Sequence, residues 1–460
     1  MLKTESTAPE TPHLIRSLVA LIVGSLLLRA AAGAMGENIQ FYFNLIHEAA
    51  RDPNHPLRTI AGAHNVYEVS YTIGGLIIGT FFAAELIGAP LFGVWSDKYG
   101  RKLFIIFGPL FGAIAVQITA MTTVVWLLLV TRLMEGISTA ANAPATLGYI
   151  AEATAHSTKL RSRVIGLFEV ATIGGMALGF SLGGWLWRHF GTPDYFFGIP
   201  LTSPAFALNA ILYIISLLIL WFGLHEYREA KRAPVTRTAR DEWRNYWTLI
   251  TNPRVQSFAP AWIAINAVLG VWINLTARVF TDKSSFTDQL LVGRFDPFTA
   301  GNLRAAYAVV FVLGILMWSL VFAGMKKTTV MLLGTVGLFL TCGFLFAINH
   351  QPALDAPLVL PLAGLLVISI LIQSSFTPAA LAHLADITED YANDRGAIMG
   401  MYSVFLGIGQ FLGATIGGPF VDWRGADGIV IVTALMGAIA AFYLIRLHFN
   451  ESRQAVAPRA

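Results

Sequence analysis

Several ionisable residues lie inside long apolar stretches of this chain, where each costs at least about 2.5–3.5 kcal/mol. Among them are Arg29 and Glu37 in the first stretch and Arg132 and Glu135 in the fourth, with Glu85 and Glu169 as second-rank candidates in the second and fifth. Plotted on a helix, the first pair shares one face with Gly33, Gly36, Gln40 and Asn44. A carboxylate on such a wall can carry a proton, so Glu37 is the first candidate proton carrier, and Arg29 tunes it or binds an anionic substrate. At the outer mouth of the helix, Glu37 would merely be solvated.

A second polar stripe runs along the fourth apolar stretch. It contains Arg132, Glu135, Thr139 and Asn142, and such a stripe faces a cavity or the interior of a helix bundle. Arg132 and Glu135 are therefore further candidates for proton coupling, although a pair that only braces the bundle is the alternative. The predicted wall of a substrate cavity consists of uncharged polar and aromatic residues: Gln40, Asn142, Trp262, Asn266, Asn274, Gln373 and Tyr402.

The composition places these residues in a membrane. Of 460 residues, 55% are hydrophobic and 13% are charged, whereas soluble domains carry about 25% charged residues. We count about twelve continuous apolar stretches, each long enough to cross a bilayer, which predicts an all-α membrane protein with twelve transmembrane helices. A single cysteine, Cys342, excludes a disulfide framework. No metal site, cofactor or nucleic-acid partner is predicted.

The distribution of basic residues predicts the orientation. When the loops are assigned alternately to two sides, the side that holds the N-terminus carries most of the Lys and Arg, including the cluster from Arg228 to Arg254. The positive-inside rule makes that side cytoplasmic. We therefore expect a multi-pass protein of a bacterial inner membrane with both termini in the cytoplasm.

The chain contains an internal repeat at an interval of 234 positions. Pro144-Ala145 recurs as Pro378-Ala379, and Gly175, Gly179 and Gly183 recur as Gly409, Gly413 and Gly417. Two like halves in an apolar chain are typical of a transporter whose substrate lies between them. The predicted halves are 1–225 and 255–460. Residues 226–254 form a cytoplasmic linker, in which Trp243, Tyr246, Trp247 and Ile250 follow Asp241 on one face of a short membrane-surface helix; a plain charged linker is the alternative.

The same interval suggests that the long outer loops near 48–65 and 281–302 match each other. It also suggests that the two halves differ in charge. It relates Arg29 to Ile263, Glu37 to Val271 and Glu85 to Ser319. We therefore expect the first half to carry proton coupling and the second half to bind substrate through neutral groups. Neutralising Glu37 should then uncouple transport, whereas Asn266→Ala should alter the substrate range.

A glycine-rich turn follows the second apolar stretch. It reads Gly93, three residues, Asp97, Lys98, one residue, Gly100, Arg101 and Lys102. Glycines permit a tight turn, and a carboxylate beside cations can lock neighbouring helix ends. This turn resembles the signature loop of the major facilitator superfamily, which implies two six-helix bundles and a cytoplasmic gate formed by Gly93, Asp97, Gly100 and Arg101, with Glu152 as the partner of Arg101. The second-half counterpart, Gly324-Met-Lys326-Lys327, lacks the aspartate.

Two further patterns resemble those of drug:proton antiporters in that superfamily. Arg132 precedes Gly136 by four residues, and Gly175, Gly179 and Gly183 match the fifth-helix motif except that Phe180 stands where that motif has proline. The residues around Gly148 and Glu152 resemble tetracycline-type efflux pumps.

This resemblance implies proton-coupled efflux of a small organic solute by a monomer whose partners are substrate, protons and membrane lipids. Uptake of a metabolite by proton symport and transport of a lipid or lipid-linked substrate are the alternatives. An intramembrane enzyme is the least favoured reading, and no phosphate-binding loop for ATP is present.

Overall fold

The structure, a computed structural model, describes residues 11–61, 66–225, 253–283, 288–321, 325–387 and 395–456, with residues 244, 251 and 286. The first half contains α1 (Thr11–Arg51), α2 (Pro56–Ala61), α3 (Tyr71–Tyr99), α4 (Arg101–Thr119), α5 (Val125–Ala153), α6 (Thr158–Phe190) and α7 (Pro204–Gly223). A two-stranded antiparallel hairpin, β1 (Asp194–Phe196) and β2 (Ile199–Leu201), precedes α7. The second half contains α8 (Pro253–Thr281), α9 (Pro297–Val321), α10 (Lys327–Asn349), α11 (Val359–Gln373), α12 (Phe376–Ile387) and α13 (Arg395–Val456).

Twelve membrane crossings follow from these helices. Ten candidate spans are long and apolar enough, and the consecutive helices α11 and α12 contribute one of them. The more polar α5 has 29 residues and adds an eleventh crossing. The twelfth arises because α13 contains two helices, joined where Arg424 and Gly425 leave helical geometry. The predicted all-α fold is confirmed, whereas the predicted linker helix after Asp241 lies outside the described residues.

Glycines let the central helices of each half approach closely. In α6, a side chain at Gly175, Gly179 or Gly183 would meet the carbonyl oxygens of Leu26, Ala30 and Ala34 on α1. In α13, Gly409 and Gly413 lie in the same way against Ile263 and Ala267 of α8. Small residues at such spacing allow backbone contact between membrane helices. Helix α6 continues through Phe180 to Phe190.

We expect Gly179→Leu to destabilise the first half, because the new side chain would collide with the backbone of Ala30 and Gly33. Overpacking of this kind costs about 1–3 kcal/mol or more, which would appear as a lower midpoint of thermal unfolding in detergent. Gly166→Leu is the control on the same helix, since no atom lies within 4 Å of a side chain placed there. Equal midpoints for the two variants would show that this helix pair tolerates separation.

The contacts of the glycines show that the repeat does not keep one interval. Gly175 lies against Arg29, and its counterpart Gly409 lies against Asn266. Arg29 therefore corresponds to Asn266, and α1 corresponds to α8 with an interval of 237 positions. Gly88 lies against Ala140, and Gly314 lies against Ser374, which is 234 positions after Ala140. Gly88 therefore corresponds to Gly314, and α3 corresponds to α9 with an interval of 226 positions. Helices α5 and α6 keep the predicted 234. The prediction that the outer loops match is therefore wrong, because surface loops accept changes of length that packed helices do not.

The corrected register changes the predicted counterparts of three ionisable residues. Arg29 corresponds to Asn266 rather than Ile263, and Glu37 corresponds to Asn274 rather than Val271. Glu85 corresponds to Phe311 rather than Ser319. The two asparagines on the polar stripe of α8 are thus the uncharged equivalents of the two charges on α1.

Candidate functional site

The halves meet in a polar seal at one end of the bundle. We call the end at which α1 begins side one and the end at which it terminates side two. Among the described residues, every hydrogen bond and ion pair between the halves lies towards side two. We define these contacts as the side-two seal, formed by α1 and α3 against α8 and α13, and by α6 against α9.

At the inner edge of the side-two seal, Glu37 of the first half binds Arg304 of the second half. Glu37 is 0% exposed and Arg304 is 7% exposed. The guanidinium of Arg304 also donates to the carbonyl of Ile273 and lies over the ring of Phe180, 4.4 Å from its centroid. Phe180, which replaces the expected proline, thus supports the partner of Glu37. The predicted solvated position of Glu37 at an outer mouth is excluded by this burial.

Arg278 forms the centre of the side-two seal. Its guanidinium donates to the Asn44 amide oxygen at 3.1 Å, to the carbonyl of Ser70 at 2.9 Å and to the carbonyl of Val69. It also lies 4.0 Å from the centroid of the Tyr71 ring. One arginine of α8 therefore satisfies acceptors on both α1 and the start of α3, and it is only 2% exposed.

Asp422 connects α13 to the beginning of α3. Its carboxylate accepts hydrogen bonds from the backbone N–H groups of Tyr71 at 2.7 Å and Thr72 at 2.8 Å. The first N–H groups of a helix lack partners within the helix and favour a negative charge. A carboxylate of the second half therefore caps a helix of the first, and separation of the halves would expose that helix end.

Glycines complete the side-two seal without polar groups. A side chain at Gly184 would meet the backbone of Pro297, and one at Gly418 would meet the backbone of Tyr71.

Arg188 and Asp296 add an exposed ion pair between the halves at 3.5 Å. Asp296 also caps α9; its slight burial raises its pKa, but hydrogen bonds from Thr299 outweigh this effect, so the pKa lies below the usual value.

Several residues predicted to line a substrate cavity are instead used for packing or sealing. Gln40 donates to the carbonyls of Gly36 at 2.8 Å and Ile273 at 3.0 Å, inside the side-two seal. Asn266 and Asn274 donate to carbonyls of their own helix. Trp262 is 2% exposed and packs in the core of the second half.

The remaining predicted cavity residues differ in their surroundings. Asn142 donates to the carbonyl of Ile105 on α4 at 3.0 Å, so it faces the bundle interior. Gln373 is partly exposed, and its amide oxygen has no hydrogen-bond partner among the described residues. Nothing is described of the Tyr402 side chain.

Arg132 and Glu135 form a buried ion pair within α5. Each residue is 4% exposed, and both lie close enough to Tyr213 for electrostatic interaction. Such a pair fits the bracing alternative, and a role of the two residues in proton coupling stays a prediction. It does not bring either residue to Glu37.

Arg29 and Glu85 occupy a different place from the other charges. Both are partly exposed, and they interact electrostatically with each other without an ion-pair contact. Arg29 lines a small cleft with Leu28, Ala32, Ser138, Thr139, Asn142 and Tyr213. The carboxylate of Glu37 is bound by Arg304 and not by Arg29, and binding of an anionic substrate by Arg29 stays a prediction.

On side one, each half is clasped within itself. Arg101 binds Asp97 and lies 3.1 Å from Glu152, as the predicted gate requires, and Ser96 accepts a further hydrogen bond at 3.0 Å. Gly93 lies near the end of α3, and Gly100 directly follows the last residue of that helix. Gly100 has a positive φ of 108°. The second half repeats this clasp, since Lys327 binds Asp386. Lys327 and Asp386 correspond to Arg101 and Glu152 in the corrected register, so the second-half loop is less degenerate than predicted.

The sequence interpretation missed Arg278 and Arg304, which it assigned to outer loops. A signal for Arg278 was present, because it continues the stripe of Asn266, Gly270 and Asn274 at four-residue spacing. Arg304 lies on no such stripe. Its role is visible only once α1, α6 and α9 are brought together.

Comparison with known proteins then assigns the chain. The sequence model of the Major Facilitator Superfamily matches residues 18–293 and 284–460. The chain belongs to this superfamily. It is a multi-pass integral membrane protein, and its superfamily membership agrees with the loop at Gly93 and the two six-helix halves.

Relatives within the superfamily include drug-resistance proteins. Multidrug resistance protein 1 of Bacillus subtilis (strain 168) is 26% identical over 368 residues, which cover 78% of this chain and 83% of the relative. The class H tetracycline resistance protein of Pasteurella multocida is 26% identical over 387 residues, covering 82% and 87%. These relatives support membership in the drug:proton antiporter type.

Solved superfamily structures share the fold. The nucleoside transporter NupG superposes with a TM-score of 0.68 at 15% identity, covering 94% of this chain and 98% of that one. A bacterial homologue of the human lysosomal transporter Spinster, in an inward-facing and unoccupied conformation, gives 0.67 at 15% identity, covering 95% and 97%.

Proposed function

We propose that this protein exports a small organic compound across a bacterial inner membrane in exchange for protons, with side one in the cytoplasm. The observation that carries the proposal is the buried pair of Glu37 and Arg304. It joins the two halves inside the side-two seal. A carboxylate that takes up a proton no longer attracts the guanidinium, so protonation of Glu37 weakens the closed state of side two.

The exchange follows from the two ends of the bundle. Once the side-two seal has opened, Glu37 takes up a proton from that side and stays apart from Arg304. After the halves have closed again at side two, release of the proton to side one lets Glu37 bind Arg304 and restores the buried pair. Substrate that enters from side one is carried outward in the same cycle, because one site is exposed to each side in turn.

The drug-resistance relatives favour export over uptake. Uptake by proton symport is the alternative, and it would use the same carboxylate. The two directions differ in the sign of the proton movement that accompanies the compound, and this difference can be measured.

The test uses the purified protein in liposomes that contain a pH-sensitive dye. With an imposed proton gradient, addition of lipophilic cations, antibiotics or metabolites should cause compound-dependent proton movement opposite to that of the compound. Movement in the same direction would establish symport. Compound transport without any proton movement would overturn the proposed coupling.

A further inference from the structure

An open furrow runs along the outer face of the first half, where α1 packs against α7. Its floor consists of small residues, because a side chain at Gly223 would collide with Ala20 and one at Gly24 would collide with Leu220. Small residues let two membrane helices approach closely, so the larger side chains on either side stand above the contact. The furrow has a volume of about 690 Å³, which falls within the roughly 300–1,000 Å³ of ligand-binding pockets.

The walls of the furrow are apolar and face outward. Helix α1 contributes Ile15, Val19 and Val23, and α7 contributes Ile219 and Phe222. Phe222 is 69% exposed and Val19 is 56% exposed. The stretch of α1 from Ile15 to Val23 rises about 12 Å, which is most of one leaflet in a hydrocarbon core of roughly 30 Å. The furrow therefore has the polarity and the length to take an acyl chain.

A cation lies at the side-one end of the furrow. Arg16 is exposed, lines the furrow and donates a hydrogen bond to the Phe222 carbonyl at 2.8 Å. A guanidinium has five N–H donors, and this bond needs only one of them. The sequence places no competing carboxylate on either helix at this end, since α1 has no acidic residue before Glu37 and α7 has none. Arg16 therefore offers donors to an anion at the end of the apolar furrow.

A second cation lies at the same end of α7. The Lys102 ammonium donates to the Leu224 carbonyl at 2.7 Å, two residues after the carbonyl that Arg16 binds. Basic pockets between membrane helices bind anionic head groups of lipids. Capping of the α7 carbonyls is a structural role that would also account for both cations, so the test must separate the two roles.

We propose that the furrow binds one anionic phospholipid from the leaflet at side one. Arg16 binds the phosphate and one acyl chain lies between α1 and α7. A guanidinium binds a phosphate through two parallel hydrogen bonds, and the chain covers the exposed apolar walls. Both helices belong to one half, so this lipid is a bound component of the transporter and not its cargo. The inference holds for either direction of transport and for any coupling ion.

The test is native mass spectrometry of the full chain in detergent, with lipids added at known concentrations. The first molecule of palmitoyl-oleoyl phosphatidylglycerol should bind at least about fivefold more tightly than phosphatidylcholine with the same chains, which is the effect of one arginine at an anionic lipid surface. Glycerol phosphate carries the phosphate without chains. At the same concentration, it should not displace the bound phosphatidylglycerol.

Two changes at Arg16 test the recognition of the head group. Arg16→Gln should remove the preference for phosphatidylglycerol, whereas Arg16→Lys, which retains the charge, should keep part of it. Arg163→Gln is the matched control, because Arg163 is an exposed arginine near the beginning of α6, at the same side of the membrane. Loss of a helix cap lowers stability without changing the choice between two lipids, so the preference separates binding from capping.

A change in the wall tests the place of the acyl chain. Val19→Trp should fill the furrow and weaken binding of both phospholipids. Leu110→Trp changes an exposed residue of α4 that lies outside the furrow, and it should leave both affinities unchanged.

Three results would overturn the inference. Equal affinity for the two phospholipids, or a preference that persists in Arg16→Gln, would leave Arg16 as a cap of α7 only. Unchanged binding of phosphatidylglycerol in Val19→Trp would exclude the chain from the furrow. Displacement of the lipid by glycerol phosphate would identify a site for free phosphate esters instead. Proton movement in liposomes is measured separately, so the proposed function stands or falls independently of these results.

Discussion

Glu37→Gln is expected to abolish compound-dependent proton movement in liposomes. Glutamine keeps the shape of the side chain but cannot bind and release a proton. It also leaves Arg304 as a buried charge without a counter-ion, and removal of one partner of a buried pair costs about 3–5 kcal/mol. The measurement is the response of an enclosed pH-sensitive dye after addition of a compound that the wild type transports.

Arg304→Gln should give the same loss of coupling, because it removes the group that binds the deprotonated carboxylate. Arg188→Gln is the matched control. It also breaks an ion pair between the halves, but that pair is exposed, and exposed pairs contribute only about 0–1 kcal/mol. Proton movement that survives in Glu37→Gln would transfer the carrier role to Glu135 or Glu85.

Arg278→Ala is expected to open side two. The substitution leaves the carbonyls of Val69 and Ser70 and the amide of Asn44 without their donor. Each buried group left unsatisfied costs about 1–3 kcal/mol, and this cost applies only to the closed state. The equilibrium should therefore shift towards a state in which the side-two seal has separated.

Labelling of an introduced cysteine measures this shift. Ala300 of α9 is 0% exposed and packs in one cluster with Phe41 of α1, across the contact between the halves. A membrane-impermeant maleimide should therefore react slowly with Ala300→Cys in a Cys342→Ala background. Addition of Arg278→Ala should accelerate labelling at least about tenfold, as a shift of 1.4 kcal/mol would. Arg58→Ala is the control, because Arg58 donates to the carbonyls of Ala49 and Ala50 in its own half. Unchanged labelling in Arg278→Ala would show that glycine packing alone holds the seal.

The sequence predicted the architecture because apolar length and glycine spacing are local properties. The twelve spans needed no knowledge of the other half, and the four-residue spacing of Gly175, Gly179 and Gly183 indicated a close helix contact without naming α1 as the partner. The clasp between Arg101 and Glu152 was also within reach, since the loop at Gly93 carries a family pattern.

The sequence could not assign the partner of Glu37, because the contact with Arg304 joins residues 267 positions apart. A single interval for the repeat also concealed the counterparts on α1 and α3. Loops of unequal length shift the numbering without moving the helices, so only the packing of glycines such as Gly88 and Gly314 reveals the true register. Gln40 was assigned to a cavity because a polar stripe does not indicate whether it faces substrate or the opposite half.

The unequal counterparts of Glu37 and Arg304 have a consequence for the internal symmetry of this molecule. In the corrected register, Glu37 is equivalent to Asn274 and Arg304 is equivalent to Ile78. A dimer of two identical first halves would place Glu37 near an isoleucine, and a dimer of two second halves would place Arg304 near an asparagine. Neither such dimer could form the ion pair, although both would retain the glycine contacts. Closure by packing thus follows the internal symmetry of the chain, whereas the charge-based link between the halves breaks it.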